Sequence, residues 1–218
     1  MNIIFILADD LGWMDTGVYG SEYYETPNID NLAKMGMRFT NAYSVNPLCT
    51  PSRAAILTGR YPSRYDLTSA SGHLPANPDM VSGLKEKDRP WQKVVTPNIR
   101  TYMPLEEQTI AQVLKNEGYA TIHLGKWHLG SKEYEPEKHG FDYNIAGYTN
   151  GWPNSYFSPY LNGKISDGPE GENLTDRLTS EAIGFIENNK EKPFYMSLWY
   201  FAVHNPLQAK KELVEKYN

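Results

Sequence analysis

Five side chains in this sequence could form one site for an anionic substrate, because each closely follows a short apolar run. Asp9 and Asp10 are adjacent carboxylates, which offer the hard oxygen ligands that Ca²⁺ and Mg²⁺ prefer. Lys126, His128 and His204 are groups of the kind that bind a tetrahedral oxyanion. Taken singly, each has an ordinary structural explanation, such as a turn, a solvated lysine or a buried histidine. Their shared position after apolar runs favours a common site.

A sixth group of interest is the single cysteine, Cys49, which precedes a predicted short helix at 51–57. A lone cysteine is most often a small buried hydrophobe, and it can form no internal disulfide. A helix N-terminus, however, favours anions and activates a thiol. Arg53, one turn further on, would either hold an anionic group beside a metal or form a surface salt bridge. Acyl transfer by a thiol near histidines is also conceivable, but it does not need the aspartate pair.

The hydrophobic pattern predicts strands that would bring these groups together. Residues 2–8, 120–124 and 194–201 are continuous apolar runs, typical of strands buried on both faces of a parallel sheet. Residues 37–44 are a further predicted strand. Sites in such sheets form outside the carboxyl ends of the strands, so the charged groups are expected to converge there.

Helices are predicted between the strands. One begins after Thr26 and stops at Gly36, and others are expected at 109–116, 174–189 and 208–216. Their signals are capping residues, a proline or good helix former at the start, and glycine at the end. The alternation of strands and helices predicts an α/β sandwich around a mostly parallel sheet.

No linker or internal repeat divides the 218 residues, so a single domain over 1–218 is expected. Residues 61–104 are rich in Pro, Ser, Asp and Lys and are expected to form a long irregular excursion. Loops of that length are usually functional or mobile. The aromatic-rich segment 143–160 is either a packed surface loop or a substrate-facing rim.

Charge and hydropathy exclude some partners. The net charge is −5 and no basic run is present, so nucleic acid is not an expected partner. No apolar stretch approaches the ~20 residues of a membrane span. The sequence does not assign a compartment; a periplasmic or secreted protein whose signal peptide has been removed is compatible with it.

Four segments resemble the motifs of the formylglycine-dependent, arylsulfatase-like sulfatases. CTPSR at 49–53, followed by LTGR at 57–60, is similar to that family's modification signature. DDLGW at 9–13 resembles its first metal-binding segment, and GKWHLG at 125–130 resembles its second signature. AVHNPL at 202–207 resembles the segment that supplies a sulfate-binding histidine. The four occur in the family's order across nearly the whole chain.

The resemblance implies both a modification and a metal. A formylglycine-generating, or sulfatase-maturing, enzyme would oxidise Cys49 to formylglycine. Asp9 and Asp10, together with position 49, would hold Ca²⁺ or Mg²⁺. Arg53 and Lys126 would neutralise the charge that develops on the substrate.

The resemblance also implies a mechanism for sulfate esters. A hydroxyl of the hydrated aldehyde at position 49 would attack sulfur, and His204 would protonate the leaving alcohol. His128 would then deprotonate the second hydroxyl, so that sulfate is expelled and the aldehyde reforms. Lys126 and His204 would also bind the substrate. Sulfated carbohydrate is the expected substrate class by resemblance alone.

An alkaline-phosphatase-like sandwich is the implied fold, with this chain as the N-terminal part of the catalytic domain. The family's remaining Asp-Asn ligand pair and a second lysine follow the counterpart of His204, and no residue from there to Asn218 can replace them. The chain alone is therefore expected to be incomplete and inactive unless a C-terminal polypeptide completes the site. A phosphate mono- or diester hydrolase of the same superfamily, or a non-catalytic sulfatase fragment, are the alternatives.

Overall fold

A parallel four-stranded sheet forms the centre of the computed structural model, which describes residues 1–86 and 90–218. Its strands are β1 (Ile3–Leu7), β2 (Ala120–Gly125), β3 (Tyr143–Ile145) and β4 (Phe194–Trp199). The spatial order is β1-β4-β2-β3, and every neighbouring pair is parallel. The predicted parallel sheet is therefore confirmed. The sequence reasoning did not predict β3, which opens the aromatic segment.

Five α-helices accompany the sheet in the described residues: α1 (Pro27–Met35), α2 (Cys49–Thr58), α3 (Ile110–Asn116), α4 (Leu174–Asn188) and α5 (Lys211–Tyr217). All five predicted helices are present, with ends within a few residues of those expected. None of the helices in the described part of the chain has the length and apolar character needed to cross a bilayer.

Local chemistry explains the helix ends. Thr109 and Gln112 form a reciprocal capping box at the start of α3, which satisfies two otherwise free backbone donors. Asn173 caps α4 by accepting a hydrogen bond from the Thr175 amide. Gly59 ends α2 with φ of 67°, a left-handed conformation that glycine adopts without a side-chain clash.

The core lies on both faces of the sheet, and β4 contributes to each. Met196 and Leu198 point into one cluster, which also contains the buried stripe of α4. Tyr195 and Trp199 point into the other, which contains the inner side of α2. This alternation follows from the two-residue period of a strand, and each buried large side chain stabilises the fold by roughly 1.5–3 kcal/mol. The apolar stripe predicted for α4 is confirmed, with Leu178 fully buried within it.

The expectation that the first apolar run is buried on both faces is wrong. β1 is an edge strand that pairs only with β4. Ile4 is 45% exposed and Ile6 is 57% exposed, with Phe5 between them also open. The physical reason is that, among the described residues, β1 pairs with one strand only and too few side chains pack over it to bury both of its faces.

The strand predicted at 37–44 is not formed. Residues there have no regular secondary structure, and Met37, Phe39 and Tyr43 are exposed. A strand propensity expresses how well a side chain fits a pleated, half-buried surface. No strand of the described residues lies beside this segment to provide that surface.

The excursion at 61–104 contains a short 3₁₀ turn at Pro62–Tyr65 and otherwise little regular structure in its described part. Residues 87–89 of it lie outside the described residues. Hydrogen bonds tie the excursion to the start of α2 and to the loop after β3: the Gly72 amide donates to Thr50 Oγ1 (3.2 Å), and Thr149 Oγ1 donates to the Gly72 carbonyl (3.1 Å). The excursion therefore packs beside Cys49.

Candidate active site

Asp9, Arg53 and Lys126 form a buried ionic cluster at the carboxyl ends of β1 and β2. Arg53 Nη2 donates to Asp9 Oδ1 at 2.7 Å, and Lys126 Nζ donates to the other carboxylate oxygen. Arg53 Nη1 also donates to the Lys126 carbonyl at 2.8 Å. All three side chains are buried. Two cations on one carboxylate leave an excess of positive charge when all three are ionised, which suits an anionic ligand.

Burial disfavours the charged forms of both Arg53 and Lys126. It lowers the pKa of the Arg53 guanidinium, although the nearby Asp9 carboxylate opposes the change. Burial also lowers the pKa of Lys126, and repulsion by Arg53 adds to the effect. The buried Arg53 Nε–H has no acceptor among the described residues. Because unpaired buried donors are costly, this group is suited to an oxygen of a bound anion.

Cys49 is the first residue of α2, so its predicted place at a helix N-terminus is confirmed. Its Sγ lies 3.2 Å from His128 Nδ1. The next residue, Thr50, donates from Oγ1 to the His128 carbonyl at 3.0 Å. The nucleophile candidate and the base candidate are therefore neighbours, and the hydrogen bond from Thr50 to the His128 carbonyl helps to hold them together.

His128 is neutral near pH 7, because burial and then the charge of Lys126 lower its pKa to about 2. A neutral imidazole has one nitrogen free to accept a proton. The backbone of His128 has a positive φ of 58°, and its amide donates to the Tyr148 carbonyl at 3.3 Å. The residues around His128 therefore keep its ring neutral and hold its backbone in position.

Asp10 and His204 lie on the other side of Asp9. The His204 Nε2 atom is 3.8 Å from Asp10 Oδ2, and the Tyr156 hydroxyl donates to the His204 carbonyl at 2.8 Å. Asp9, Asp10 and His204 each have a ligand atom within 4.8 Å of the others. The predicted ligand set of Asp9, Asp10 and Cys49 stays a prediction, and the structure also places His204 near the two carboxylates.

A divalent cation fits this group of side chains. The two carboxylates line a cavity of about 640 Å³ that also contains Cys49 and Arg53. Their oxygens suit Ca²⁺ or Mg²⁺, but Ca²⁺ takes about six to eight oxygen ligands. The remaining ligands must come from water, substrate or another polypeptide.

His73 is the residue of this site that the sequence reasoning missed. Its Nδ1 atom is 3.0 Å from His128 Nε2, and its ring centroid is 5.3 Å from that of Trp152. The available signal was its place in the long excursion at 61–104, where function was expected but no residue was chosen. No motif marks it, because its contact with His128 joins positions 55 residues apart.

Gly72, next to His73, permits the close approach of the excursion to the site. A Cβ atom at position 72 would lie 1.9 Å from the His128 carbonyl oxygen. No other residue type fits there without moving the backbone. The glycine thus explains how an otherwise irregular loop reaches a buried ring.

Comparison with known proteins gives a consistent result. The sulfatase family profile matches residues 1–218. The N-acetylgalactosamine-6-sulfatase of Rattus norvegicus is 35% identical over 98% of this chain and 41% of its own length. An arylsulfatase of Hemicentrotus pulcherrimus is 34% identical over 94% of this chain and 38% of its own length.

Solved structures extend the comparison to the fold. The crystal structure of Ps i-CgsB in complex with k-i-k-neocarrahexaose is 35% identical, with a TM-score of 0.72 over 99% of this chain and 48% of that chain. A structure in complex with its substrate D-glucosamine-2-N,6-O-disulfate is 32% identical, with a TM-score of 0.66 over 94% of this chain and 35% of that chain. The predicted alkaline-phosphatase-like sandwich is confirmed as a partial fold. The chain spans less than half the length of these relatives.

Proposed function

This chain belongs to the sulfatase family, and we propose that it provides the nucleophile half of a site that hydrolyses sulfate esters through a formylglycine made from Cys49. The observation that carries the proposal is the position of Cys49. Its Sγ lies at the N-terminus of α2, 3.2 Å from the neutral His128 ring. Asp9, Asp10 and Arg53 line the same cavity.

Each charged group then has a task set by its surroundings. Arg53 and Lys126 would bind the sulfate oxygens, because both are buried cations with only one carboxylate between them. Buried donors aimed at developing negative charge stabilise a transition state strongly. Formylglycine at position 49 would supply the attacking hydroxyl.

The two histidines would divide the proton transfers. His128, with its lowered pKa, suits the base that takes a proton from the group at position 49. His204, whose Nε2 atom is 3.8 Å from Asp10 Oδ2, suits the acid that protonates the leaving alcohol. Asp9 and Asp10 would hold Ca²⁺ or Mg²⁺, which when bound would polarise the sulfate oxygens as a Lewis acid.

Sulfated carbohydrate is the proposed substrate class. Two relatives support it by name: an N-acetylgalactosamine-6-sulfatase and the protein solved with D-glucosamine-2-N,6-O-disulfate. Trp152 is 40% exposed, and its ring lies beside that of His73. Its ring offers an amphipathic surface of the kind that packs against a sugar.

We further propose that a C-terminal polypeptide completes the site and that a maturing enzyme modifies Cys49. Among the described residues, Asp9 and Asp10 provide the carboxylates for the cation, fewer than the about six to eight oxygen ligands that Ca²⁺ takes. β1, which precedes Asp9, also leaves a strand edge and its three central apolar side chains exposed. An exposed, apolar edge strand is ready to pair with another chain.

Mass spectrometry of the peptide that contains Cys49 tests the modification. The chain is co-expressed with a sulfatase-maturing enzyme, and a Cys49→Ala variant is the matched control. An aldehyde at position 49 is expected in the co-expressed wild-type chain and not in the Cys49→Ala variant. An unmodified thiol in a preparation that still hydrolyses an aryl sulfate would overturn the proposed mechanism.

Activity assays separate sulfatase from phosphatase. Sulfate and phosphate esters of one phenol are compared, with and without a polypeptide that corresponds to the C-terminal part of the relatives. Preference for the sulfate ester, seen only in the completed protein, is expected. Preference for the phosphate ester would support the superfamily alternative instead, and efficient turnover by the 218-residue chain alone would refute the claim of incompleteness.

A further inference from the structure

Three side chains, Cys49, His128 and His73, form a continuous row through the site. Cys49 Sγ is 3.2 Å from His128 Nδ1, and His128 Nε2 is 3.0 Å from His73 Nδ1. Both ring nitrogens of His128 therefore have a polar partner on opposite sides. The base candidate of the proposed function is thus oriented by a third group, as is usual for an activated nucleophile.

Packing restricts how the His128 ring can lie. A Cβ atom at Gly151 would be 2.5 Å from the ring, so that backbone covers one side of the imidazole directly. Trp152 follows and lies beside His73. The ring cannot turn freely within this space, so the identity of its two polar neighbours determines what each nitrogen does.

A neutral imidazole carries a single N–H, and its tautomer is set by the hydrogen bond that the other nitrogen makes. If His128 carries its proton on Nδ1, it donates toward position 49 and cannot accept a proton there. If the proton is on Nε2, it donates to His73, and Nδ1 is free to accept. Only the second arrangement is compatible with a base facing position 49.

We propose that His73 is a positioning residue that accepts a hydrogen bond from His128 Nε2–H and thereby keeps His128 Nδ1 as the acceptor that faces position 49. The inference rests on the proposed function for its catalytic meaning, but the contact itself does not depend on it. His73 would carry its own proton on Nε2, away from His128. It acts through His128 and need not touch the substrate.

Nitrogen NMR of the unconverted 218-residue chain tests the proposal without sulfatase activity. Long-range ¹H–¹⁵N correlation spectra report the tautomer of each histidine, and a His128→Gln variant identifies the signals of His128. The wild-type chain is expected to show His128 protonated on Nε2. Protonation on Nδ1 would overturn the proposal.

Two substitutions at position 73 separate a direct contact from a general loosening of the loop. His73→Ala is expected to give a mixture of His128 tautomers, whereas His73→Asn, whose side-chain oxygen can replace Nδ1 as acceptor, is expected to restore the wild-type form. Asn77→Ala is the matched control, since Asn77 stabilises the same excursion from within, through hydrogen bonds with Ile99 and Thr101. It should leave the His128 tautomer unchanged. An identical His128 spectrum in His73→Ala and wild type would refute the proposal.

Kinetics of the matured, completed protein supply an independent readout. His73→Ala is expected to lower kcat by about ten- to a hundredfold, a part of the ~10²–10⁴-fold that general acid–base catalysis contributes, with KM little changed. His73→Asn should recover most of kcat. If no variant, wild type included, hydrolyses sulfate esters, the proposed function fails while the NMR result still decides the role of His73.

Discussion

The N-terminal region, residues 1–48, and the region 120–201 each contain a short apolar strand, but these strands pack very differently. β4 in the second region is buried along its whole length, whereas β1 in the first has three exposed central residues. In the same way, α4 buries four residues and α1 buries none. An apolar pattern therefore predicts that an element forms, but it does not predict that the element is covered.

Position in the sheet explains the difference. β4 lies between β1 and β2 and contributes side chains to both core clusters. β1 has a neighbour on one side only. Hydrophobic stabilisation is proportional to the apolar area removed from water. An apolar side chain in β4 therefore contributes more to stability than a similar side chain in β1. Four measurements test this difference between the two regions.

The largest expected contrast is between two phenylalanines. Phe194 is 1% exposed in β4, and Phe39 is 65% exposed in the N-terminal region. Phe194→Ala should lower the free energy of unfolding by about 3–5 kcal/mol through lost burial and a cavity, whereas Phe39→Ala should change it by less than about 0.5 kcal/mol. Urea denaturation of both variants measures this. Similar losses would show that the N-terminal region is covered in solution.

A second contrast uses the adjacent aspartates. Asp9→Asn should lower the free energy of unfolding by about 3 kcal/mol, because it leaves the buried charges of Arg53 and Lys126 without a counter-charge. Asp10, whose side chain is 61% exposed, is the matched control, and Asp10→Asn should have little effect on stability. Thermal denaturation without added metal distinguishes the two. An unaffected Asp9→Asn protein would contradict the ionic cluster.

The third measurement is the pH dependence of stability. Burial lowers the pKa of His123 to about 3 and that of His139 to about 4, while unfolded histidine titrates near 6.5. Between about pH 6.5 and 4 the unfolded chain therefore binds more protons, so stability is complete above pH 6.5 and is lost as the pH falls. Each histidine should contribute a slope of up to about 1.4 kcal/mol per pH unit.

His139→Phe is the variant that tests this slope, because it keeps a ring against Trp127 but cannot be protonated. Denaturation at pH 7 and pH 5 should show a smaller loss for the variant than for the wild type. No histidine occurs in residues 1–48. The loss of stability that these histidines cause at low pH therefore comes from the region 120–201. Equal slopes for the two proteins would show that His139 titrates normally.

The smallest expected effects concern two glycines, one inside α4 and one that follows the last residue of α2. At Gly184, in α4, a Cβ atom would meet nothing within 4 Å, so Gly184→Ala should raise the free energy of unfolding by about 0.5–1 kcal/mol. Gly59→Ala should instead lower it by about 1 kcal/mol, because φ of 67° is unfavourable for alanine. Thermal denaturation of the two variants measures both changes. A change of the same sign in both would show that the backbone conformation at these glycines does not decide the effect.

Much of the candidate site could be predicted from sequence because its residues follow strands directly. Asp9, Lys126 and His204 come after β1, β2 and β4, whose parallel arrangement brings their ends together. Cys49 was placed by the helix that begins there. His73 could not be predicted in this way, since it lies on an irregular excursion and no periodic pattern fixes its neighbours.

Sequence reasoning was sufficient for the five helices, three of the four strands, the family and the chemistry of the motifs, since these depend on local patterns and on residue types at fixed spacing. The fold was needed to show that Tyr143–Ile145 form a strand, that β1 is an edge strand, that residues 37–44 form no strand, and that His204 lies near Asp9 and Asp10. The fold also brings His73 to His128. The physical reason is that burial and long-range contacts depend on what packs beside a residue, and no window of sequence contains that neighbour.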